Sequence, residues 1–483
     1  MLGPPCWSLL VVLSCTMPAL TPPPGARDHV AGHAADLAPS PLQPTRLVLD
    51  LEVTYDTPAI VGTVTFTLAN GGASPVQDVP LLLNRLMRVT GVRDEKGTAL
   101  PVDSSVEILT DEPMWQVRRA TVHLPRPLTA GAAATIEITY QGPLVGYTEV
   151  GWRYVKDHID PAFTILREEA LAFPKVGVLC ARANDAVARR PFGFEARVTV
   201  PSAEVVATGG SLVGRRTAPG DRVTYEFRGE DLPFLNITIA PYQVSTAGGI
   251  TVYALPDDAQ RAVSVLEAAH GALGLLERWY GPLPAPPHVP IIEIPEGYGS
   301  QASLMGGIIL ESPVFSDRGR RSDLYHELSH LWNAPDLDVP SPRWNEGLAV
   351  YLSYRLAAEL DGSTGLGAAL EKARGRLCDA ATRDSPLRRT PFASYGVAGQ
   401  TDWSYQLGFL MFAALEEAVG RDALDAGLRS YFQDSVQKGG TTRQLVETIA
   451  RGTLKDVRPF FERWMFTAGW VDEVCAHRPE RRP

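Results

Sequence analysis

His326-Glu327-Leu328-Ser329-His330, followed by Trp344-Asn345-Glu346-Gly347 with 15 residues between His330 and Glu346, is the stretch that decides how this chain is read. Positions i and i+4 of a helix lie one turn apart on one face, so His326 and His330 can direct their ring nitrogens at a single ion. Glu327 sits between them, close enough to reach a water on that ion without being a ligand itself. Leu324, Leu328 and Leu331 recur at i, i+4 and i+7 and give the same helix a separate apolar face. Downstream, the breakers Asn333-Ala334-Pro335-Asp336 and Pro340-Ser341-Pro342 end this helix and precede a second one from Asn345. Two antiparallel helices joined by that loop bring Glu346 to His326 and His330 as the third ligand of one Zn2+ per chain. A solvated helix with two incidental histidines accounts for neither the apolar face nor the second carboxylate.

Outward from the motif, 483 residues exceed what one hydrophobic core serves, and two or three domains follow. Apolar content of 45% and charged content of 21% describe an ordinary globular protein. The formal net charge is −10 and the basic residues form only short pairs such as Arg189-Arg190 and Arg215-Arg216, which argues against nucleic acid as a partner. Residues 1–20 read as a signal peptide: Trp7-Ser8-Leu9-Leu10-Val11-Val12-Leu13 is apolar but too short to span a bilayer. Val12-Leu13-Ser14-Cys15 also resembles a bacterial lipoprotein signal, in which Cys15 carries a lipid anchor. Both versions stay open, and both imply export, to the periplasm or cell envelope or into the medium. Membrane contact is expected only through that anchor. With Cys6 and Cys15 in the leader, Cys180, Cys378 and Cys475 allow at most one disulfide and no cysteine zinc site.

Residues 21–45, rich in Pro, Ala and Gly, read as a flexible linker, and His29 and His33 within it read as solvated. From 46 to 250, period-two alternation dominates, as in Leu47, Leu49, Leu51 and Val53 and in Val64, Phe66 and Leu68. Short strands between Gly, Pro and Asp turns predict an all-β, sandwich-like domain. From 251 to 476 the period becomes helical, over 259–280, 322–333, 345–360, 401–419 and 457–466, with strand-like stretches at 289–294 and 306–310. The fold class is therefore α+β. The isolated His123, His158, His270, His288 and His477 read as surface or satisfied core residues.

Over roughly residues 46–470 the chain resembles the gluzincin aminopeptidases, the membrane alanyl aminopeptidase and leukotriene A4 hydrolase type of zinc metallopeptidase. His326-Glu327-Leu328-Ser329-His330-Leu331-Trp332 is similar to the family's zinc helix and Trp344-Asn345-Glu346-Gly347-Leu348-Ala349 to its third-ligand segment. Tyr405-Gln406-Leu407-Gly408 resembles its tyrosine motif, and Pro125 to Gly131 and Pro201 to Gly209 resemble parts of its β domain. The resemblance implies a thermolysin-like catalytic zinc domain over 251–476 that hydrolyses peptide bonds, with Tyr405 as donor to the oxyanion. Glu327 is then the general base and peptides or proteins are the substrates.

Three departures qualify the likeness. The loop between His330 and Glu346 is shorter than is usual in the family. The segment from Gly297 to Gly307, where relatives carry an amine-binding glutamate, has no acidic residue. Glu168, Glu169 and Glu296 are the acidic residues that remain as candidates, and cleavage within peptides stays open beside cleavage from the amino terminus. The chain also ends soon after the zinc domain, so no large C-terminal helical domain is expected. The alternative from a different class is a repurposed member that binds a peptide or protein in the same cleft without cleaving it.

Overall fold

The computed structural model describes residues 38–475 apart from 186–191, 230–234, 284–287, 303–306, 335, 437 and 454. The leader with Cys6 and Cys15, most of the linker with His29 and His33, and His477 lie outside the described residues. The first strand, Leu42–Thr54, begins inside the stretch read as linker. Leu42 is buried and pairs with Asn70, so the proline-rich composition up to Pro44 did not end where the ladder starts.

The α+β reading holds. A seven-stranded sheet runs in the order Ser211–Ala218, Arg222–Gly229, Gly193–Pro201, Leu42–Thr54, Ala59–Asn70, Ala133–Gly142, Arg88–Asp94. A four-stranded sheet, ordered Val102–Leu109, Glu112–Leu128, Val76–Asn84, Lys175–Val176, shares its core. In register, Leu47 faces Phe66 and Leu49 faces Val64, so the alternating residues of both strands fall on one face. All four are buried there against Leu81, Leu83, Ala120 and Val122 of the second sheet. Two sheets around one apolar layer form the sandwich-like half.

The helical half is built on a five-stranded sheet, Gln243–Ala247, Ile250–Ala254, Val289–Ile294, Ile308–Glu311, Gln301–Ala302. Its three inner strands are parallel and both edges antiparallel. This sheet starts at Gln243, upstream of residue 251. Alternate residues of the central strand serve two cores: Val289 and Ile291 face the helices, while Ile292 and Ile294 meet Ile165, Ala207 and Ala240 of a three-stranded sheet in the β half. The two halves therefore share an apolar seam, and the edge strand Gln301–Ala302 lies near it.

A buried ion pair reinforces the seam. Arg167, fully buried, donates through Nε to Asp157 Oδ1 at 2.9 Å and through Nη2 and Nη1 to the carbonyls of Tyr154 and Tyr298 at 2.7 and 2.9 Å. Each guanidinium nitrogen finds an acceptor, which is what a buried charge requires. Glu311 accepts from the backbone N–H groups of Gly297 and Gly299, each at 2.8 Å. The loop leading to the edge strand is thus held from both sides.

Among the described helices, Leu366–Arg383 is tied to the terminal helix Trp470–Cys475 by a disulfide between Cys378 and Cys475, 97 residues apart. Closing so long a loop removes much of the unfolded chain's freedom. Replacing both cysteines by serine is expected to lower the unfolding free energy by about 2–4 kcal/mol, read as a shifted urea midpoint at unchanged slope. Cys180 is buried and unpaired, its thiol 3.5 Å from Asp111. No described helix is long and apolar enough to cross a membrane.

Candidate metal centre

The helix Arg321–Ser329 carries the motif and tightens into a 3-10 turn at His330–Trp332. Leu324, Leu328 and Leu331 are buried in the helical core, and the indole of Trp332 donates to the carbonyl of Gly281 at 2.9 Å. At the other end the Tyr325 hydroxyl donates to Asp361, at the close of the helix Trp344–Asp361. The motif helix is thereby fixed against the helix that bears Glu346.

The three expected ligands converge. Nε2 of His326 and Nε2 of His330 lie 3.1 Å apart, and each is 3.4 Å from Glu346 Oε2. A tetrahedral ion with bonds of 2.0–2.1 Å separates its ligand atoms by about 3.3–3.4 Å. The two edges to Glu346 match a zinc ion as they stand, and the edge between the imidazoles is short of it by about 0.2 Å. Among the described residues this is the only group of three potential ligands so assembled. None of the isolated histidines among the described residues joins it; His123, for instance, is held on the surface between Asp78 and Asp103, at 2.8 and 3.0 Å. The amide nitrogen of Asn333 lies 2.6 Å from Nδ1 of His330. A half-turn of that amide presents its oxygen to the Nδ1 proton which a histidine ligating through Nε2 carries.

Charge around the centre is uneven. Burial pushes the Glu327 carboxyl up to about 8, and Glu346 and Asp323 add to the rise while His326 opposes it. Burial acts on Glu346 in the same sense, but His330 and Arg343 outweigh it and hold that carboxyl well below the usual range. Two carboxyl groups 19 residues apart in sequence are thus driven in opposite directions.

Tyr405 begins the helix Ser404–Val419 and stands beside the centre, its ring stacked on His326 with centroids 6.1 Å apart and planes at 13°. Burial, and then the Glu346 carboxylate, raise its phenol above the ordinary value, so it is a proton donor rather than a phenolate. The reason it reaches Glu346 is a pair of glycines. A Cβ on Gly347 would lie 2.4 Å from Cα of Gly408, so the two helices touch backbone to backbone. The glycines of the two quoted motifs are one contact.

The acidic residues left open by sequence are also sorted. Glu169 accepts from Gln301 Nε2 at 3.0 Å and from the Tyr154 hydroxyl at 3.3 Å, which places its carboxylate at the edge strand. Glu168 instead pairs with Lys175 at 2.6 Å, and Glu296 is exposed. Sequence reasoning passed over Arg343 altogether. It adopts a left-handed backbone (φ 55°) and reaches Glu346 Oε1 at 2.7 Å. An isolated arginine before a helix carries no periodic signal, and nothing local marked it.

Residues 316–464 match the family model "Peptidase family M1 domain". No curated protein matches the chain. Among solved structures, the M1 zinc metallopeptidase of Deinococcus radiodurans, in a mutant form bound to a Tyr-Ser-Ala substrate, superposes with a TM-score of 0.61 at 21% identity, covering 88% of this chain and 94% of that one. A second structure of that metallopeptidase gives a TM-score of 0.60 at 21% identity over 88% and 93% of the two chains. Residues 316–464 thus match the Peptidase family M1 domain, and the chain shares its fold with those metallopeptidases.

Proposed function

We propose that the chain is a zinc-dependent metallopeptidase of aminopeptidase type, with His326, His330 and Glu346 holding the ion. The observation that carries this reading is the triangle of ligand atoms with a buried, non-ligating carboxyl beside it and a neutral phenol stacked on one imidazole. Zinc bound there supplies Lewis-acid polarisation of the scissile carbonyl and a water acidic enough to attack near neutral pH. Glu327, whose carboxylate form the charge of a bound zinc would favour against burial, takes the proton from the attacking water and passes it to the departing amine. Tyr405 donates its phenol proton in a hydrogen bond to the oxygen that gains charge. A module that only bound peptides would have no use for either group, which is why the binding alternative stands second.

Glu169 is the amine anchor in this reading. Its carboxylate is hydrogen-bonded to Gln301 of the edge strand, and this reading assigns it the free amine of an extended peptide pairing with that strand, in place of the acidic residue absent from 297–307. Glu169→Gln is expected to cut kcat/KM for free-amine peptides about 10–100-fold, the worth of one charge-assisted hydrogen bond, and to leave amino-terminally acetylated peptides unaffected. The Cys378–Cys475 bond supports an exported setting, since such bonds persist in oxidising compartments.

The test is a mixed peptide library digested by the zinc-loaded protein and mapped by mass spectrometry, with chelator-treated protein as control. Metal-dependent removal of first residues is the expected result. Internal cuts would make it an endopeptidase, and a digest identical to the control would leave only the binding module.

A further inference from the structure

Arg343 occupies a position that the chain's packing makes costly. Non-glycine residues rarely adopt a left-handed backbone, and they persist there only when the surroundings hold them. Here the surroundings do. The Arg343 N–H donates to Ser341 Oγ at 2.9 Å, the Ser341 hydroxyl donates to Asp336 Oδ2, and the Asp336 carboxylate also accepts from the N–H of Asp338 at 2.8 Å. Next to Arg343, the carbonyl of Pro342 accepts from the Ser404 hydroxyl at 2.7 Å, and Ser404 is the residue before Tyr405. The start of the Glu346 helix is thereby stapled to the start of the Tyr405 helix.

The side chain completes the link. Nη2 of Arg343 is 2.7 Å from Glu346 Oε1, the oxygen turned away from the two imidazoles, and 3.4 Å from the Tyr405 hydroxyl. The guanidinium carbon lies 5.8 Å from the centre of the Tyr405 ring, within range of a cation–π contact. One planar cation therefore touches the outer face of the third ligand and both the ring and the hydroxyl of the tyrosine. Its own side chain is 45% exposed, so it is not a core charge in need of any available partner.

We infer that Arg343 is a positioning residue that holds the Tyr405 phenol in register with the Glu346 carboxylate, so that hydroxyl and ion address the same substrate oxygen. The inference rests on the peptidase reading for its catalytic meaning and on geometry alone for its structural content. A lysine keeps the charge but lacks the planar guanidinium that faces the Tyr405 ring while its Nη2 meets the carboxylate.

The test combines kinetics with a structure. Arg343→Met in the zinc-loaded protein is expected to lower kcat about 10–100-fold, the usual effect of removing a group that orients a ligand, with KM little changed and one zinc per chain retained. Combined with Tyr405→Phe it should cost little beyond Tyr405→Phe alone, because both changes remove one function. Arg343→Lys should recover only part of the loss. A crystal structure of Arg343→Met should show the Tyr405 hydroxyl displaced from its place beside Glu346. Full additivity with Tyr405→Phe, or an unmoved phenol, overturns the inference. Should the wild-type protein cleave no peptide, the peptidase reading falls by itself, and the position of Tyr405 in Arg343→Met still decides this one.

Discussion

Glu327→Gln is expected to lower kcat by 10²–10⁴-fold while the protein keeps one zinc per chain. The magnitude is what a positioned general base contributes, and glutamine preserves shape while removing the proton acceptor. Retention of metal follows from geometry: the ligand triangle is closed by His326, His330 and Glu346 alone, and Glu327 lies outside it. Glu346→Gln separates the roles. Losing an anionic ligand should weaken zinc binding outright, so activity and metal content fall together there and part company at Glu327. The measurements are initial rates on a peptide identified in the library digest and zinc by elemental analysis. A Glu327→Gln protein that turns over at the wild-type rate with full zinc removes the assigned base, and one that loses its zinc makes Glu327 a ligand.

Much of this centre was legible because its signals are local. A four-residue spacing, an apolar stripe at 324, 328 and 331 and a breaker-rich loop specify two helices and the three side chains that meet between them, and 289–294 is a strand with the bounds its β-branched run suggests. Three helices, Leu366–Arg383, Arg421–Ser435 and Thr442–Gly452, were not singled out. The last had a readable start, since Thr441 and Gln444 form a reciprocal cap. In the first, the side that matters is defined by Cys378 and Ala381 packing against elements distant in sequence. Glu169 and Arg343 were undecided or unseen for the same reason. Their roles arise from Gln301, Tyr154, Glu346 and Tyr405, which the chain delivers only when two domains and two helix starts have met.

Gly347→Ala is expected to be as damaging as the loss of a catalytic group, although it adds one methyl to a helix and improves its intrinsic propensity. The new carbon would sit 2.4 Å from Cα and 2.6 Å from the carbonyl carbon of Gly408, and backbone cannot rotate out of the way as a side chain can. The helices must separate, which costs about 1–3 kcal/mol of packing. Separation moves Tyr405 relative to Glu346, and a displacement near 1 Å in such a site costs about 10²-fold in rate. Gly408→Ala should follow the same course more mildly, because its added carbon would meet Cα of Gly347 at 2.9 Å and the Trp344 carbonyl at 3.1 Å. Gly375→Ala is the contrasting case in one molecule: it lies within the helix Leu366–Arg383 with open space around it, so the same change should stabilise by about 0.5–1 kcal/mol and leave rates alone. Melting curves and kcat/KM for the three variants give an order of harm, 347 above 408 with 375 reversed. An active Gly347→Ala protein would mean that the helix crossing does not set the distance between the tyrosine and the metal ligand.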